Sequence, residues 1–287
     1  MNDTWQSAPR VAIAGLSGDS GKTLVSLALL LHTWDRGVPA FAFKKGPDYI
    51  DSRWLSRACG GAARNLDTFL MGHEGAGRLF SAQCLAEGLN IIEGNRGLYD
   101  GVDERRTHST AEFAKLSKAP VLLVVNVAKL THTIAALVLG CQKLDPKVAI
   151  CGVILNRVAG NRQEAVLRKS VASVRNIPVL GAIPKTEEGV LLPNRHLGLV
   201  TPEEHGHQDE PRASLLSLAA GDWIWGGFRR LPSVRLPCNT LPKLIVRPRK
   251  PRVWRSNTSK TRPLRSITPK TLKRWRVAVR SLKQSTR

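Results

Sequence analysis

Gly15-Leu-Ser-Gly-Asp-Ser-Gly-Lys-Thr23 is the stretch that decides how this chain of 287 residues folds. It follows an apolar run at 10–14 that is typical of a β-strand, and it leads into 22–36, where leucines recur at helical spacing. Gly18 and Gly21 allow the backbone to curl so that its N–H groups face a phosphate, and the helix N-terminus adds partial positive charge. The stretch therefore predicts a phosphate-binding loop between a strand and a helix.

The side chains of this loop carry the expected chemistry. Lys22 would reach the β- and γ-phosphates of a nucleotide, and the hydroxyl of Thr23 would hold Mg²⁺. The strict motif has glycine at position 16, where this chain has Leu16, with Gly15 one place earlier. We predict that the nucleotide is contacted by Gly18, Asp19, Ser20, Gly21, Lys22 and Thr23.

The rest of the first two thirds alternates strand and helix patterns. Short apolar runs that continue without alternation are typical of parallel strands buried on both faces. Further strands are predicted at 40–43, 90–92, 121–125, 148–155 and 178–183, and helices near 74–87, 109–118, 130–143 and 161–174. The sequence predicts an α/β layered domain of the P-loop NTPase type over 1–205, with a mainly parallel sheet flanked by helices.

Composition changes abruptly after residue 205. Residues 1–205 hold 24 basic and 19 acidic side chains, whereas 206–287 hold 20 basic and only 3 acidic ones, within a total net charge of +22. Repeated prolines exclude a long helix there, although a short basic helix fits 271–282. We interpret 206–287 as an irregular basic tail rich in Pro, Ser and Arg, either disordered or the product of a frameshift. One alternative is a nucleic-acid-binding arm, because basic and tryptophan side chains can bind phosphates and stack on bases. The others are an unrecognised domain and a membrane-surface helix near 271–282.

Two segments after predicted strands offer carboxylates at the sheet edge where such folds bind ligands. In FKKGPDYID (43–51), Lys44 supplies positive charge, and Asp48 is a candidate Mg²⁺ ligand or a solvated turn residue. Glu93 ends an apolar strand, which is the Walker B position for Mg²⁺, although a capping carboxylate would look the same. Asp100 follows in the same segment and is expected further out, toward a substrate.

Asn156 follows the strand predicted at 148–155. Its amide offers both a donor and an acceptor, so it could read a base edge, or it could form a turn. His205-Gly-His207 has two histidines without further ligands and is expected to be solvated rather than to bind metal.

Taken together, these segments resemble the N-terminal ATP-binding domain of the cobyrinate (or hydrogenobyrinate) a,c-diamide synthases, a dethiobiotin-synthetase-like P-loop family. The resemblance covers about residues 8–205. It is carried by GLSGDSGKT (15–23), FKKGPDYID (43–51), ARNLDTFLM (63–71), IEGNRGLYDG (92–101), LNRV (155–158) and RHLGLVTPEEH (195–205).

The resemblance implies that ATP converts the a- and c-acetate carboxylates of a corrin to acyl phosphates, which ammonia turns into amides. It implies catalytic roles for Lys22, Asp48 and Glu93, with Mg²⁺ held by Thr23, Asp48 and Glu93, and an adenine contact for Asn156. The corrin is expected near Lys44, Tyr49, Ile50 and Asp100.

The family's second half is a glutaminase, and no segment after His205 is similar to it. We therefore expect a truncated form that takes free ammonia or ammonia from a separate glutaminase. Rival interpretations are a P-loop ATPase whose tail binds nucleic acid, and a dethiobiotin-synthetase-like or cobyric-acid-type ligase. No apolar run reaches the ~18 residues of a membrane helix, so we expect a cytoplasmic protein without a membrane partner. The sequence allows a homodimer.

Overall fold

The computed structural model describes residues 8–174, 177–186, 194–195 and 198–199. Within them, a seven-stranded sheet is flanked by six helices. The strands of the sheet are β1 Arg10–Gly15, β2 Ala40–Lys45, β3 Arg64–Leu66, β4 Leu89–Glu93, β5 Val121–Asn126, β6 Ile150–Val158 and β7 Val179–Pro184. The helices are α1 Lys22–Asp35, α2 Ile50–Ala58, α3 Thr68–Gln83, α4 Thr110–Leu116, α5 Thr133–Leu144 and α6 Asn161–Ala172.

The sheet has the order β3-β2-β4-β1-β5-β6-β7, and every neighbouring pair is parallel. A separate antiparallel pair joins β8 Asn194–Arg195 to β9 Gly198–Leu199. The predicted α/β fold class is confirmed. None of the helices in the described part of the chain is long and apolar enough to cross a bilayer.

Each face of the sheet carries its own hydrophobic layer, as the alternation of side chains along β1 shows. Val11 and Ile13 pack in the layer that contains the leucines of α1, whereas Ala12 and Ala14 belong to the opposite layer. Successive side chains of a strand point to opposite faces, so a strand covered on both sides must be apolar throughout. Near the carboxyl ends of the strands, polar side chains such as Lys44 and Glu93 replace the apolar ones, and the candidate site lies there.

The carboxyl ends of the central strands meet at one edge of the sheet. Glu93, the last residue of β4, is in register with Ile13 of β1 on one side and with Lys44 of β2 on the other. The register therefore places the end of β4 between β1, which leads into the loop, and β2, which leads into the 43–51 segment.

The structure corrects the predicted elements on the β3 side of the sheet. Helix α2 and strand β3 were not predicted. Strand β3 gives a weak pattern, because it has only three residues, RNL, of which two are polar. The helix predicted near 74–87 instead spans Thr68–Gln83, because the carboxylate of Asp67 accepts the N–H groups of Phe69 and Leu70 and starts the helix earlier. It bends at Gly72, whose φ is 71°.

Strand β6 also differs from its prediction, since it starts at Ile150 and continues to Val158. The predicted domain boundary at 205, the tail 206–287 and the helix at 271–282 lie outside the described residues, and the division into 1–205 and 206–287 stays a prediction.

Candidate functional site

The loop between β1 and α1 is packed on itself. Gly21 precedes the helix with φ 94°, a conformation that glycine adopts without strain. The hydroxyl of Ser20 donates to the carbonyl of Ser17 at 3.0 Å and accepts the Ser17 N–H at 3.1 Å. A Cβ atom on Gly15 would lie 2.6 Å from the Cβ of Ser20. The close approach explains why glycine stands at position 15, and Leu16 instead packs against the hydrophobic layer.

Lys22 is folded back across this loop. Its ammonium donates to the carbonyl oxygens of Ser17 at 2.8 Å and Gly18 at 3.2 Å. Burial and the nearby ammonium of Lys44 lower the pKa of Lys22 to about 8. The ammonium therefore satisfies two backbone carbonyls of the loop.

A buried network connects this loop to the ends of β2 and β4. Glu93 is fully buried, and its Oε1 accepts hydrogen bonds from Thr23 Oγ1 at 2.9 Å and from Lys44 Nζ at 2.7 Å. The same ammonium of Lys44 donates to Oδ2 of Asp51 at 2.6 Å. Burial lowers the pKa of Lys44, but Glu93 and Asp51 more than offset this and raise it above its ordinary value. Lys44 is therefore charged, and its ammonium lies between the carboxylates of Glu93 and Asp51.

Asp48 lies at the edge of the same network. Its Oδ2 is 3.9 Å from the Lys44 ammonium, and its Oδ1 accepts the N–H of Asp51 at 2.9 Å. Burial and the neighbouring carboxylate of Asp51 raise the pKa of Asp48. Three carboxylates thus surround one ammonium. Sequence analysis gave Asp51 no role, although its place three residues after Asp48 in the 43–51 segment was the available signal.

The second oxygen of Glu93, Oε2, is buried and has no hydrogen-bond partner. A buried carboxylate oxygen without a partner is costly, so a cation is a fitting neighbour for it. The hydroxyl of Thr23 and the carboxylate of Asp48 add oxygen donors, the ligand type that Mg²⁺ prefers. These three residues fit the predicted metal, and their roles as its ligands stay predictions.

Asn156, near the end of strand β6, reaches the loop between β1 and α1. Its Nδ2 donates to the carbonyl of Ser20 at 2.9 Å, and its side chain is buried. A Cβ atom on Gly21 would collide with this amide. The next residue, Arg157, has φ 65° and lies 3.5 Å from the carboxylate of Asp19. Asn156 therefore holds the loop in place, and its adenine contact stays a prediction.

The predicted substrate residues lie in different surroundings. Tyr49 is 63% exposed and accepts a hydrogen bond from Arg53 Nη2 at 2.8 Å. Ile50 is partly buried against the hydrophobic layer of α1. Asp100 is exposed and accepts the N–H of Gly97 at 2.8 Å. Tyr49 and Asp100 therefore face solvent, Lys44 lies inside the buried network, and the contacts of all four with a substrate stay predictions.

Thr110 was missed by sequence analysis, and it positions the segment that follows Glu93. Its hydroxyl donates to the carbonyl of Asn95 and accepts the N–H of Asn95, both at 3.2 Å. A Cβ atom on Gly94 would lie 2.6 Å from the Thr110 methyl group. The signal lay in the pattern around it, since Ser109 caps α4 and glutamate follows three residues later.

Comparison with known proteins agrees with this geometry. The family described as "CbiA: CobQ/CobB/MinD/ParA nucleotide binding domain" matches residues 11–200, which include the loop, the 43–51 segment, Glu93 and Asn156. The chain belongs to this family. The matched residues include the loop between β1 and α1, whose contact with the nucleotide stays a prediction.

Curated relatives share the same part of the chain. The hydrogenobyrinate a,c-diamide synthase of Streptomyces coelicolor is 44% identical over 206 residues, which are 71% of this chain and 42% of that protein. The cobyrinate a,c-diamide synthase of Magnetococcus marinus is 44% identical over 196 residues, 68% of this chain and 42% of that protein. The one from Archaeoglobus fulgidus is 41% identical over 203 residues, 70% of this chain and 44% of that protein.

The predicted resemblance to the a,c-diamide synthases is therefore confirmed. The chain spans less than half the length of these curated relatives.

Proposed function

We propose that this CbiA-type domain uses ATP and Mg²⁺ to activate the a- and c-acetate carboxylates of cobyrinate or hydrogenobyrinate for amidation. The substrate class is taken from the names of the relatives. The observation that carries the proposal is the buried Glu93, held between Thr23 of the nucleotide loop and Lys44 of β2, with its Oε2 free of hydrogen bonds. This arrangement supports phosphoryl transfer, which needs charge neutralisation and positioning more than covalent help from the protein.

The nucleotide loop binds the phosphates of ATP. Its backbone N–H groups and the N-terminus of α1 favour anions. Lys22 exchanges its bonds to the Ser17 and Gly18 carbonyls for bonds to the γ-phosphate, and charge-assisted bonds to phosphate are stronger than those it leaves.

The carboxylate network holds the metal. Thr23, Glu93 and Asp48 provide its oxygen ligands, and Mg²⁺, when bound, supplies positive charge that opposes the charge of the β- and γ-phosphates. Lys44 holds the carboxylate of Glu93 in position at 2.7 Å, and Asp51 holds the Lys44 ammonium at 2.6 Å.

The reaction proceeds in two displacements. An oxygen of the corrin carboxylate attacks the γ-phosphorus, the bond to the β-phosphate oxygen breaks, and ADP leaves. Ammonia then attacks the carbon of the acyl phosphate, and inorganic phosphate leaves as the amide forms and a proton is lost. Free ammonia or a separate glutaminase supplies the nitrogen. We assign the contacts with the corrin to Lys44, Tyr49, Ile50 and Asp100, on the resemblance to the family.

The test is release of ADP by the purified chain with ammonium present, with and without each corrin. We expect cobyrinate or hydrogenobyrinate to stimulate ADP release and to gain amide groups detectable by mass spectrometry. Lys22→Ala removes both, because the γ-phosphate loses its cation, whereas the exposed Lys147→Ala serves as the matched control and leaves both unchanged.

Normal ATP binding without stimulation by either corrin would overturn the proposal. Stimulation by DNA or RNA instead would favour the alternative, in which the basic 206–287 segment binds nucleic acid.

A further inference from the structure

A group of metal-ligating side chains joins α3 to α4, apart from the residues assigned to the nucleotide. His73, His108 and Glu112 each offer one ligand atom, and these atoms all lie within 4.8 Å of one another. Nε2 of His73 is 3.2 Å from Oε1 of Glu112, and the two imidazole rings stack with centroids 5.6 Å apart and planes 13° from parallel. We propose that this cluster binds one divalent transition-metal ion of the Zn²⁺ class.

His108 is held in an orientation suited to a ligand. Its Nδ1 is 2.8 Å from the hydroxyl of Thr68, a buried residue at the start of α3, and the ring of Phe69 packs edge-on against the imidazole at 5.5 Å. The hydrogen bond at Nδ1 leaves Nε2 for a metal. Metal-binding histidines are oriented in this way, by a partner on the nitrogen that does not ligate.

The backbone at His108 is also unusual, with φ 58° in the left-handed region that non-glycine residues rarely adopt. A residue held in such a conformation stores strain, which the surrounding structure must balance. Here that conformation places the imidazole beside His73.

Glu112 has a structural role that accounts for only one of its oxygens. Its Oε2 accepts the N–H of His108, while its own N–H donates to the Ser109 hydroxyl at 3.2 Å, a form of the helix capping box. This leaves Oε1 beside His73. Helix capping requires neither imidazole, so the presence of both in the cluster, with His73 beside the second oxygen, is what points to a metal.

The ligand set indicates which ion fits. Two imidazoles and one carboxylate suit Zn²⁺ and related transition ions, whereas Mg²⁺ prefers oxygen ligands alone. The side chain of His73 is 48% exposed, so a fourth position can be filled by water, as in open zinc sites.

The ion would brace the segment that follows Glu93. Glu112 and Thr110 both belong to α4, and Thr110 holds the backbone of Asn95 through two hydrogen bonds. Tying α4 to α3 therefore limits movement of this segment. Metal binding by this cluster does not require the corrin substrate, so the metal site and the corrin activity are tested independently.

Co²⁺ is the probe, because its visible absorption reports tetrahedral nitrogen and oxygen ligands directly. We expect the full chain, freed of metal, to bind one equivalent of Co²⁺ and to release it to Zn²⁺. His73→Ala and His108→Ala should weaken binding about 100-fold, and Thr68→Val, which removes only the orienting hydroxyl, about tenfold. A double variant, His205→Ala with His207→Ala, is the control and should bind as the wild type does.

Zn²⁺ should also raise the melting temperature of the wild type and not that of His73→Ala, which removes a half-exposed side chain and leaves the core intact. ATP binding by each variant confirms that it is folded. Absence of the cobalt spectrum, equal affinity in the wild type and His108→Ala, or loss of binding in the control variant would each overturn the proposal.

Discussion

The buried end of the candidate nucleotide site carries charged side chains, whereas its outer rim carries apolar ones. At the buried end, Lys44 and Glu93 are 2% and 0% exposed, and the ammonium has a carboxylate on each side. At the rim, the side chains that follow β2 and β3 are apolar and open to solvent, with Tyr49 63%, Phe69 58% and Leu70 64% exposed. We refer to Tyr49, Phe69 and Leu70 as the rim residues.

This difference separates two tasks. Charges in a site without water interact strongly, so the buried network suits the handling of phosphate and metal charge. Exposed apolar side chains gathered near one sheet edge suit contact with a large, partly apolar ligand. The comparison predicts that changes at the buried end affect stability and chemistry together, whereas changes near the rim have smaller effects on stability.

The largest effect is expected for Lys44→Met. It leaves Glu93 and Asp51 without their cation, and removing one partner of a buried ion pair costs about 3–5 kcal/mol of unfolding free energy. The matched control is Lys115→Met, since the Lys115–Asp145 pair has the same 2.6 Å separation but a lysine that is 35% exposed. Loss of this exposed pair should lower the unfolding free energy by at most about 1 kcal/mol. Urea unfolding measures both, and equal losses would contradict the contrast between buried and exposed pairs.

Asn156→Ala should have an intermediate effect, because it leaves the Ser20 carbonyl in the nucleotide loop without its donor. We expect a loss of about 1–2 kcal/mol in unfolding free energy. If Asn156 also reads adenine, as the family resemblance predicts, the affinity for ATP falls more than that for GTP. Fluorescence titration with both nucleotides measures this ratio, and an equal weakening would mean that Asn156 acts on the loop alone.

The smallest effect concerns Tyr99, which anchors the segment leading to Asp100. Its hydroxyl donates to the carbonyl of Cys141 in α5 at 2.5 Å, and burial raises the pKa of Tyr99 to about 12. The unfolded chain loses this proton near pH 10, so the folded state is favoured below that pH and loses this advantage as the pH rises from about 10 to about 12.

Tyr99→Phe should therefore be less stable than the wild type by about 1 kcal/mol at neutral pH, with a gap that narrows above about pH 10. Urea unfolding at about pH 8 and about pH 11 tests this. A gap that stays constant or widens with pH would show that ionisation of Tyr99 is not coupled to folding.

Much of the fold could be predicted because its strongest signals are local. The run at 10–14 and the glycines at 18 and 21 predicted a strand, a loop and a helix in the order that the structure shows. Strand β3 could not be predicted in the same way, since a three-residue edge strand gains most of its stability from pairing with β2. Helix α3 was misplaced because its start depends on a cap by Asp67 rather than on apolar spacing.

The candidate site was predicted in part for the same reason. Lys22, Thr23, Asp48 and Glu93 stand in motifs, and the structure brings them to one end of the sheet. Asp51 stands in the 43–51 segment, but its contact with the Lys44 ammonium depends on the turn between β2 and α2. The role of Thr110 follows from its contact with Asn95, which lies 15 positions before it.

The sequence by itself determined the family, the nucleotide loop and the types of charged group at the strand ends, because each is encoded within a few consecutive residues. Only the tertiary structure decided how those charges are paired. The register of β2 against β4 places Lys44 beside Glu93, the end of β6 brings Asn156 to the loop, and the packing of α3 near α4 brings His73 to Glu112. These pairings join residues separated by tens of positions, and their strength comes from burial, which no local pattern records.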